Sequence, residues 1–559
     1  MTRLLSAVLV VALAAAAPAA AQKKKPKRPE RYVQVQLLGI NDFHGHLDPA
    51  TTGKIGRATL RRRDRVPAGG AEYLATHVRM LTRRNPNTLV VSAGDLVGAS
   101  PLLSALFHDE PTIEAMNEIG LDLNAVGNHE FDDGAAELLR LQRGGCHPSD
   151  GCQDGTPFGG ARFRFLAANV VSRRTGRPLF RPYAIRRLGG VRIGFVGMTL
   201  EGTPDIVPPS VSQAFRFLDE AATANRYVRR LRRRGVQAIV VLLHEGGSPR
   251  RPALADDCPG LSGPLEDIVR ATSPEVDVFL TGHTHAAYNC VIDRRRVTSA
   301  ASFGRLITRV ELTIDRRRND VVRARADNWV VGQDVMRAPD LSELIARYAS
   351  LADPLRQRVI GRLAQSATRT ADDSGERRMG NLVADAWQSA GAGEAAFVNP
   401  GELRGGLPAG DVTYGRAFAS QPFGSSLVTM TLTGAQVVEL LKQQWCDRRR
   451  ALILQPSESV SYTWSAATAA AIVGVPCASA ANPVSELRIG GSPVEGGRPY
   501  RVTVSSLSAG GFNSFGALAG GAERADGPAD TAAMEAHLAP SLSGEPRVPP
   551  ATDRIAVVP

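Results

Sequence analysis

Short apolar runs alternate with amphipathic segments along the first half of this 559-residue chain. The segments 69–83, 112–119 and 218–234 have apolar residues at helical spacing. The apolar runs have four to eight residues, a length typical of buried strands. They are Val33–Ile40, Thr88–Ser92, Leu123–Val126, Val191–Val196, Ala238–Leu243 and Val276–Leu280. Strands that alternate with helices predict an α/β layer fold.

Polar side chains follow five of these strands within a few residues. Asp42 and His44 follow the first strand, and because they are two residues apart they lie on the same side of an extended chain. In α/β sheets ligands collect at the carboxyl ends of strands, so we expect such side chains to converge. The candidate set is Asp42, His44, Asp95, Asn128, His244, His283 and His285.

This candidate set offers carboxylate, amide and imidazole ligands and no thiolate. Such ligands suit divalent zinc, manganese, iron, cobalt or magnesium. Seven ligands are too many for one tetrahedral ion but fit two ions that share a bridging carboxylate. A lone Asp or His at a strand end is more often a turn or cap residue. The same residue types at five independent strand ends favour the metal-site interpretation.

Five short blocks around these residues resemble the metallophosphoesterase motifs, and more narrowly those of the secreted 5'-nucleotidase family. That family includes UDP-sugar hydrolases and 2',3'-cyclic-nucleotide phosphodiesterases. The blocks have the family's order and span about 240 residues. They are Gly39-Ile40-Asn41-Asp42-Phe43-His44, Ser92-Ala93-Gly94-Asp95, Gly127-Asn128-His129-Glu130-Phe131-Asp132, His244-Glu245-Gly246 and Gly282-His283-Thr284-His285.

The resemblance implies two divalent metal ions as cofactors, with zinc, manganese or cobalt as the expected metals. The implied ligands of one ion are Asp42, His44 and His285. The implied ligands of the other ion are Asn128, His244 and His283. Asp95 bridges the two ions, and His129 and Asp132 match the family's catalytic pair. In the implied reaction, metal-activated hydroxide attacks phosphorus, and a protonated His129 stabilises charge on the phosphoryl oxygens.

The second half of the chain resembles the family's C-terminal substrate domain. In that domain arginines and an Asn hold phosphate and ribose, and two aromatic rings sandwich the base. The corresponding candidates here are Asn399, Arg404, Phe423, Phe512, Arg377 and Arg378. Phe423 matches the first ring, whereas Arg377 and Arg378 lie only near the position of a further phosphate-contacting arginine.

Two departures from the family pattern concern substrate recognition. Where the family usually has Asn-Gly-Gly-Gly-Ile-Arg, this chain has Asn399-Pro400-Gly401-Glu402-Leu403-Arg404. Leu507 stands at about the position of the second ring. Either Phe512 or Phe515 supplies that ring from a shifted loop, or the base clamp is altered.

The fold implied by the resemblance is α/β, in two domains joined by a helix. A four-layer α/β-sandwich metallophosphoesterase domain is expected over residues 32–335. A linker helix is expected over 336–357, where apolar residues recur near one helical face. A smaller α/β substrate domain is expected over 358–559.

The N-terminal residues have the features of a secretory signal. A positive charge at Arg3 precedes the apolar segment Leu4–Ala16, and the small residues 19–21 form a cleavage site, so residues 1–21 are expected to be removed. Residues 22–31 form a basic arm that we expect to be disordered. No later run reaches the roughly 18 apolar residues of a membrane span. We therefore expect a secreted or periplasmic protein without a transmembrane anchor.

Six cysteines fall into three neighbourhoods of the sequence. An even number in an exported chain favours disulfides. A zinc cluster is less favoured, because no pair has the tight two-residue spacing. Of the fifteen possible connectivities we expect the nearest-neighbour one. It joins Cys146 to Cys152, Cys258 to Cys290, and Cys446 to Cys477.

The composition is that of a soluble globular protein, with 43% hydrophobic and 22% charged residues. The formal charge of +12 comes mostly from arginine. Solvated surface and a flexible arm are the favoured interpretation of this charge, and attraction of anionic substrates, nucleic acid or a membrane surface is the alternative. No aromatic residues interleave with the arginine clusters, which argues against a nucleic-acid polymer as partner. We expect a monomer or a weak dimer.

Together these features predict an exported two-metal phosphoesterase that hydrolyses nucleotide phosphoesters. An alternative keeps the metal chemistry but changes the substrate to 2',3'-cyclic nucleotides, UDP-sugars or a sulfur ester. A third hypothesis is a non-catalytic surface-binding protein built on a retired phosphatase. The complete ligand set argues against this third hypothesis.

Overall fold

A computed structural model of the chain describes residues 30–56, 65–250, 255–448 and 450–559. The expected signal peptide at 1–21 and most of the basic arm at 22–31 lie outside the described residues. Among the helices in the described ranges, none combines the length and apolar character needed to cross a membrane.

Two six-stranded sheets form the centre of the first domain. Their strands, in chain order, are β1 (Tyr32–Ile40), β2 (Thr88–Ser92), β3 (Leu123–Ala125), β4 (Arg164–Leu166), β5 (Tyr183–Leu188), β6 (Val191–Thr199), β7 (Ala238–His244), β8 (Val278–Thr281), β9 (Ala287–Ile292), β10 (Arg295–Ala300), β11 (Leu306–Asp315) and β12 (Asp320–Val330). Three short antiparallel pairs lie in the connecting loops: Lys54–Gly56 with Arg65–Pro67, Val170–Ser172 with Phe215–Phe217, and Ser248–Pro249 with Leu261–Ser262.

The strand order brings the predicted strands side by side. The first sheet has the order β12-β11-β1-β2-β3-β4, in which β1 to β4 are parallel. The second has the order β9-β10-β8-β7-β6-β5, in which β10, β8, β7 and β6 are parallel. The six strands predicted from apolar runs are all present. The antiparallel pair β11 and β12 was not predicted, because charged residues interrupt β12 and leave most of it partly exposed.

Helices cover the outer faces of both sheets. They are α1 (Ala71–Arg84), α2 (Leu102–Ala105), α3 (Glu110–Ile119), α4 (Gly134–Arg143), α5 (Pro209–Ala214), α6 (Glu220–Arg233), α7 (Leu265–Ala271) and α8 (Pro339–Arg356). Leu37 and Leu242 belong to one core between the two sheets. A second core lies beneath α1, α3 and α8, and a third beneath α6 and α7. The order helix, sheet, sheet, helix confirms the expected four-layer sandwich.

β7 shows why these strands read as continuous apolar runs. Every residue from Ala238 to His244 is buried, because both faces of its sheet are covered. The only strongly polar residue of the strand is therefore the one at its carboxyl end, His244, which lies where the site begins.

The second domain is smaller, and its central five-stranded sheet has helices on both faces. Its strands are β13 (Ala395–Val398), β14 (Ser426–Thr433), β15 (Gln455–Pro456), β16 (Val460–Ser465), β17 (Val484–Ile489), β18 (Ser492–Pro493), β19 (Pro499–Ser505), β20 (Ala522–Ala529) and β21 (Ile555–Val558), beside the pair Val359–Leu363 and Gly410–Thr413. Its helices are α9 (Arg378–Gly391), α10 (Tyr414–Ser420), α11 (Gly434–Lys442), α12 (Ala466–Ile472), α13 (Ser506–Ala509), α14 (Gly516–Ala519) and α15 (Asp530–Leu538).

The central sheet of this domain has the order β15-β13-β19-β14-β20, and a four-stranded sheet has the order β18-β17-β16-β21. Alternate residues of β13 face opposite sides. Val398 packs in the core that contains α9, whereas Phe397 packs in the core that contains α11. The expected smaller α/β domain is confirmed.

α8 occupies the region of the expected linker helix. Its Tyr348 is fully buried, and its ring centre lies 4.8 Å from that of Phe107 in the first domain. α8 also contacts α10 of the second domain. The helix therefore packs against the first domain while its end meets the second.

All three expected disulfides are present. They are Cys146–Cys152, Cys258–Cys290 and Cys446–Cys477. The prediction of nearest-neighbour pairing is confirmed.

Candidate active site

The seven candidate ligands lie where the carboxyl ends of β1, β2, β3, β7 and β8 meet. The first three strands belong to one sheet and the last two to the other, so the site lies across both sheets. Five of the seven residues have a left-handed backbone. Their φ values are 49° at Asp42, 48° at His44, 52° at Asp95, 70° at His283 and 53° at His285. This conformation costs a non-glycine residue about 1–2 kcal/mol, and such strain concentrates at functional sites.

Asp42, His44 and His285 form one ligand group. The Nδ1–H of His44 donates a hydrogen bond to the carbonyl of Gly98 at 2.8 Å, which leaves its Nε2 as a lone-pair atom. That Nε2 lies 3.1 Å from Nε2 of His285, which is 3.5 Å from Oδ1 of Asp42. Imidazole nitrogens and a carboxylate oxygen thus face one point, as the ligands of a divalent cation do.

Asn128, His244 and His283 form a second group beside Asp95. The Nδ1–H of His244 donates to the carbonyl of Ala93 at 2.8 Å. Its buried Nε2 lies 2.9 Å from Oδ2 of Asp95 but makes no hydrogen bond. A buried lone pair that faces a carboxylate in this way is best satisfied by a cation between them. Nδ1 of His283 lies 3.0 Å from Oδ1 of Asn128, which completes the group.

Asp95 lies between the two groups. Its Oδ2 is 2.9 Å from Nε2 of His244 in one group and 3.6 Å from Nε2 of His44 in the other. Its Oδ1 accepts a hydrogen bond from the backbone N–H of His129 at 3.0 Å. The donor set therefore suits two divalent ions with Asp95 as the shared ligand.

Glu130 holds the loops that carry these ligands. Its buried carboxylate accepts hydrogen bonds from the backbone N–H groups of Asp95, Leu96 and Gly127. This ties the loop after β2 to the loop after β3. A Cβ on Gly127 would lie 2.1 Å from Oδ1 of Asp95, so only glycine allows this approach. The sequence pattern alone did not indicate this role of Glu130, because a buried carboxylate that binds mostly backbone N–H groups has no distinctive spacing.

In His244 the carboxylate of Asp95 outweighs burial and raises the pKa to about 10, but burial keeps the other three imidazole candidates neutral. It lowers the pKa of His283 to about 4 and that of His285 to about 3, and it lowers the pKa of His44 well below its ordinary value. Metal-binding imidazoles must be unprotonated. At neutral pH these three side chains therefore present lone pairs.

His129 has the opposite electrostatic character. Burial lowers its pKa, but the carboxylates of Asp132 and Asp95 outweigh burial and raise the pKa to about 9. Nδ1 of His129 lies 2.8 Å from Oδ2 of Asp132. A charged histidine thus stands beside the neutral imidazoles of His44, His283 and His285, with one ring nitrogen held by Asp132 and the other left for a ligand.

A cleft of about 310 Å³ joins this group to the second domain. The guanidinium of Arg404 lies 5.0 Å from the ring centre of Phe423. The ring of Phe423 stacks toward His129 with 6.4 Å between ring centres. Leu507 and Asn513 also line the cleft. Two of the expected substrate residues, Arg404 and Phe423, therefore face the expected catalytic histidine.

Three other expected substrate residues lie elsewhere. Arg378 donates its guanidinium hydrogen bonds to the carbonyls of Pro549 and Pro550, so it holds the C-terminal segment and not the cleft. Arg377 donates to the carbonyl of Gly375. Asn399 is fully buried and caps the turn Pro400–Glu402, and its Nδ2 has no partner among the described residues. Nε and Nη2 of Arg378 thus donate away from the cleft, and its interpretation as a phosphate contact stays a prediction.

The second aromatic ring is not where the family pattern has it. Phe515 is fully buried, with the guanidinium of Arg448 4.5 Å from its ring centre, so it cannot face the cleft. The backbone of Phe512 begins the short turn Phe512–Ser514, and its side chain lies outside the described residues. Leu507 lines the cleft instead. Among the described side chains that line the cleft, Phe423 is the only Phe, Tyr or Trp ring, and Leu507 is an aliphatic residue of the same lining.

Arg369 and Glu402 both act on residues of the cleft, but no sequence pattern singled out either one. Burial lowers the pKa of Arg404, and the nearby charge of Arg369 lowers it further. Arg369 likewise lies near enough to act on Arg377. Glu402 is buried and accepts hydrogen bonds from the hydroxyls of Ser505 and Ser508, at 2.9 and 2.5 Å. It ties the loop of Arg404 to α13, which carries Leu507.

Two family models match the chain. Residues 35–287 match "Calcineurin-like phosphoesterase", and residues 359–520 match "5'-nucleotidase, C-terminal domain". The two matches cover the two structural domains in the order that the motifs predict.

Curated relatives and solved structures are similar over most of the chain. Endonuclease YhcR of Bacillus subtilis is 31% identical over 79% of this chain, and cell wall protein Lmo0130 of Listeria monocytogenes is 30% identical over 87%. The chain spans only 35% and 64% of those two relatives. The crystal structure of a 5'-nucleotidase precursor from Thermus thermophilus superposes with a TM-score of 0.71 at 23% identity, covering 94% of this chain and 99% of that one.

Proposed function

The chain belongs to the 5'-nucleotidase family, and on that premise we propose that it hydrolyses nucleotide phosphoesters at a centre of two divalent metal ions. One observation carries the proposal. Seven candidate ligand side chains, Asp95 among them, converge from five strand ends next to a charged His129 that faces a cleft between the domains. In this proposal, the domain over 32–335 supplies the chemistry and the domain over 358–559 binds the substrate.

Each residue of the site has a different role in such a reaction. When bound, two divalent ions supply Lewis acidity and lower the pKa of water. Asp132 holds Nδ1 of His129, so the Nε2–H of the charged ring is free to donate to a phosphoryl oxygen, where negative charge develops. Arg404 places a second positive charge in the same cleft. Phe423 lines the same cleft and supplies an aromatic ring against which a base can pack.

A phosphate-release screen tests the proposal. The full chain is treated with chelator and then resupplied with zinc, manganese or cobalt, and nucleoside 5'-monophosphates are offered. We expect release of phosphate to fall below about 1% with chelator and to return with metal, because no other group in the cleft replaces Lewis-acid activation. A protein that binds no metal, or that releases no phosphate from any nucleotide, contradicts the proposal.

A second candidate changes the substrate and keeps the centre. The observation that favours it is that Leu507 lines the same cleft as Phe423, because an aliphatic side chain holds a base less selectively than a second ring. The candidate substrates are 2',3'-cyclic nucleotides, UDP-sugars and a sulfur ester. The same screen, extended to these compounds, decides between the two. Strict preference for nucleoside 5'-monophosphates would eliminate this candidate.

Glu402 is expected to act on substrate binding through position alone. Glu402→Ala removes the acceptor that holds Ser505 and Ser508, so α13 and Leu507 become free to move. We expect KM to rise about tenfold and kcat to change less than about threefold, since loss of one buried hydrogen-bond anchor is worth roughly 1–2 kcal/mol. Steady-state kinetics measures both.

The matched variant is Glu402→Gln, which keeps an acceptor oxygen on a side chain of the same length. Its KM is expected to lie near that of the unmodified protein. If Glu402→Ala lowers kcat as strongly as it raises KM, Glu402 has a role in the chemical step and the positional account is wrong.

We also propose that the protein is exported, either secreted or periplasmic. Three disulfides within the described residues support an oxidising compartment. Residues 1–21 have the features of a signal peptide. N-terminal sequencing of the exported protein tests this, with a start near Gln22 as the expected result.

A further inference from the structure

A second cavity adjoins the other end of the ligand set. It has a volume of about 450 Å³, and His44 and His285 line it, whereas the cleft with Phe423 adjoins Asn128, His129 and His283. On the side of the second domain it is lined by Ala419 and Pro422. Arg404 lines both cavities. The candidate metal centre thus opens onto two separate spaces.

An aromatic wall is built into this second cavity. The rings of Phe303 and His46 pack against each other in a tilted arrangement, with 3.8 Å between centres and an angle of 32°. The ring of Phe303 also meets His285 edge-on, with 5.5 Å between centres. His46 is fixed by a 2.8 Å hydrogen bond between Nδ1 and the hydroxyl of Thr51. Neither ring belongs to the five sequence motifs.

The backbone of Phe303 has a conformation that bulky residues disfavour. Its φ is 62°, in the left-handed region that bulky side chains rarely adopt. Its backbone N–H donates to the carbonyl of Asp42 at 2.7 Å, which fixes the strained residue to the strand end that carries two ligands. A strained aromatic residue beside the metal ligands points to a role in binding.

The residues that line this cavity determine which chemical groups it can bind. The rings, together with Ala99, Pro101 and Pro422, form flat and apolar walls. Arg404 supplies a positive charge, and no carboxylate is among the described lining residues. A flat organic group therefore binds without repulsion, whether neutral or negatively charged.

We propose that this cavity is a subsite for a second organic group on phosphorus. The substrate class is a phosphodiester that carries a nucleoside on one side and a flat ring system on the other. The inference rests on the proposed function, because it needs phosphorus at the metal centre. A phosphomonoester fills only the cleft with Phe423, whereas a diester fills both spaces. In the hydrolysis, water forms a new P–O bond, the P–O bond to the ring-bearing group breaks, and the departing oxygen takes a water proton.

The experiment compares a diester with its matched monoester. The diester is thymidine 5'-(p-nitrophenyl phosphate), and the monoester is thymidine 5'-monophosphate. Ala419 is an exposed residue of α10 in the cavity wall, so Ala419→Phe adds a ring to the cavity and leaves every candidate metal ligand unchanged. We expect the ratio of kcat/KM for diester over monoester to fall at least about tenfold, the loss of one well-packed ring contact. Phe303→Leu, which removes the flat face, is expected to shift the ratio in the same direction.

Ala470→Phe is the control, because Ala470 is exposed on α12 and lines neither space. It is expected to leave the ratio unchanged. Titration calorimetry with the non-hydrolysable methylene phosphonate of the diester gives a second readout. Its Kd is expected to rise about tenfold in Ala419→Phe and to stay constant in Ala470→Phe.

The outcomes separate the two proposals. Hydrolysis of the monoester with no diester hydrolysis, or an unchanged ratio and Kd in Ala419→Phe, overturns the subsite and leaves the proposed function standing. Hydrolysis of neither ester with any metal overturns the proposed function, and the calorimetric comparison then decides the subsite by itself. An equal fall in Ala470→Phe also overturns the subsite, because the effect would not be local.

Discussion

Replacing His129 by alanine is expected to lower kcat by about 10²–10³-fold while the protein keeps its metal ions. The reason is that His129 binds no ion in this account: its Nδ1 is held by Asp132 at 2.8 Å, and its charged ring faces the cleft. A charged donor aimed at developing negative charge contributes roughly 3–4 kcal/mol to transition-state stabilisation. Truncation removes that donor and leaves the ligand groups intact.

The measurement pairs steady-state kinetics with metal content determined by inductively coupled plasma mass spectrometry. The control is His147→Ala, a histidine in the disulfide loop between Cys146 and Cys152, which is expected to match the unmodified protein in both. Loss of metal from His129→Ala would show that His129 is a ligand, and the assignment of roles would be wrong. A retained kcat would show that the charged ring does not act on the reacting group.

Replacing Asp95 by alanine is expected to weaken both metal sites at once and to lower kcat/KM by at least about 10³-fold. Oδ2 of Asp95 lies 2.9 Å from Nε2 of His244 and 3.6 Å from Nε2 of His44. Asp95 is therefore the one carboxylate that both ligand groups share, and the substitution removes it from both. Without that charge, two cations a few ångströms apart would also repel each other more strongly. The variant additionally loses the acceptor for the N–H of His129.

Metal content at a series of zinc concentrations measures this effect. Asp95→Asn keeps an acceptor oxygen for the backbone N–H of His129 but loses the negative charge. Its metal affinity is therefore expected to lie between that of Asp95→Ala and that of the unmodified protein. Glu343→Ala, which removes an exposed carboxylate on α8, is the control and is expected to bind metal normally. Loss of a single ion from Asp95→Ala, with the other bound at full affinity, would contradict a bridging role.

The candidate metal site could be predicted from the sequence because its residues follow directly after buried, apolar strands. β1, β2, β3, β7 and β8 are buried on both faces and read as continuous apolar runs, so the polar residues at their ends stand out. The fold then brings those ends together. The left-handed backbone at Asp42 or His283 has no sequence signature, although it helps to aim the ligands.

The substrate region was less predictable because it depends on loops between domains. Arg378 resembles a phosphate contact in sequence, yet its guanidinium is bound by backbone carbonyls of the C-terminal segment. Phe515 stands near the expected second ring but is buried in the domain core. Phe303 was missed altogether, because a single phenylalanine in a loop has no period and its strained backbone appears only in three dimensions.

The most direct test of the central claim is an anomalous-difference map from crystals of the full chain grown with zinc or manganese. The account predicts two peaks. One lies among Asp42, His44 and His285, the other lies among Asn128, His244 and His283, and Asp95 contacts both. A single peak at the strand ends, or two peaks without Asp95 between them, would contradict it.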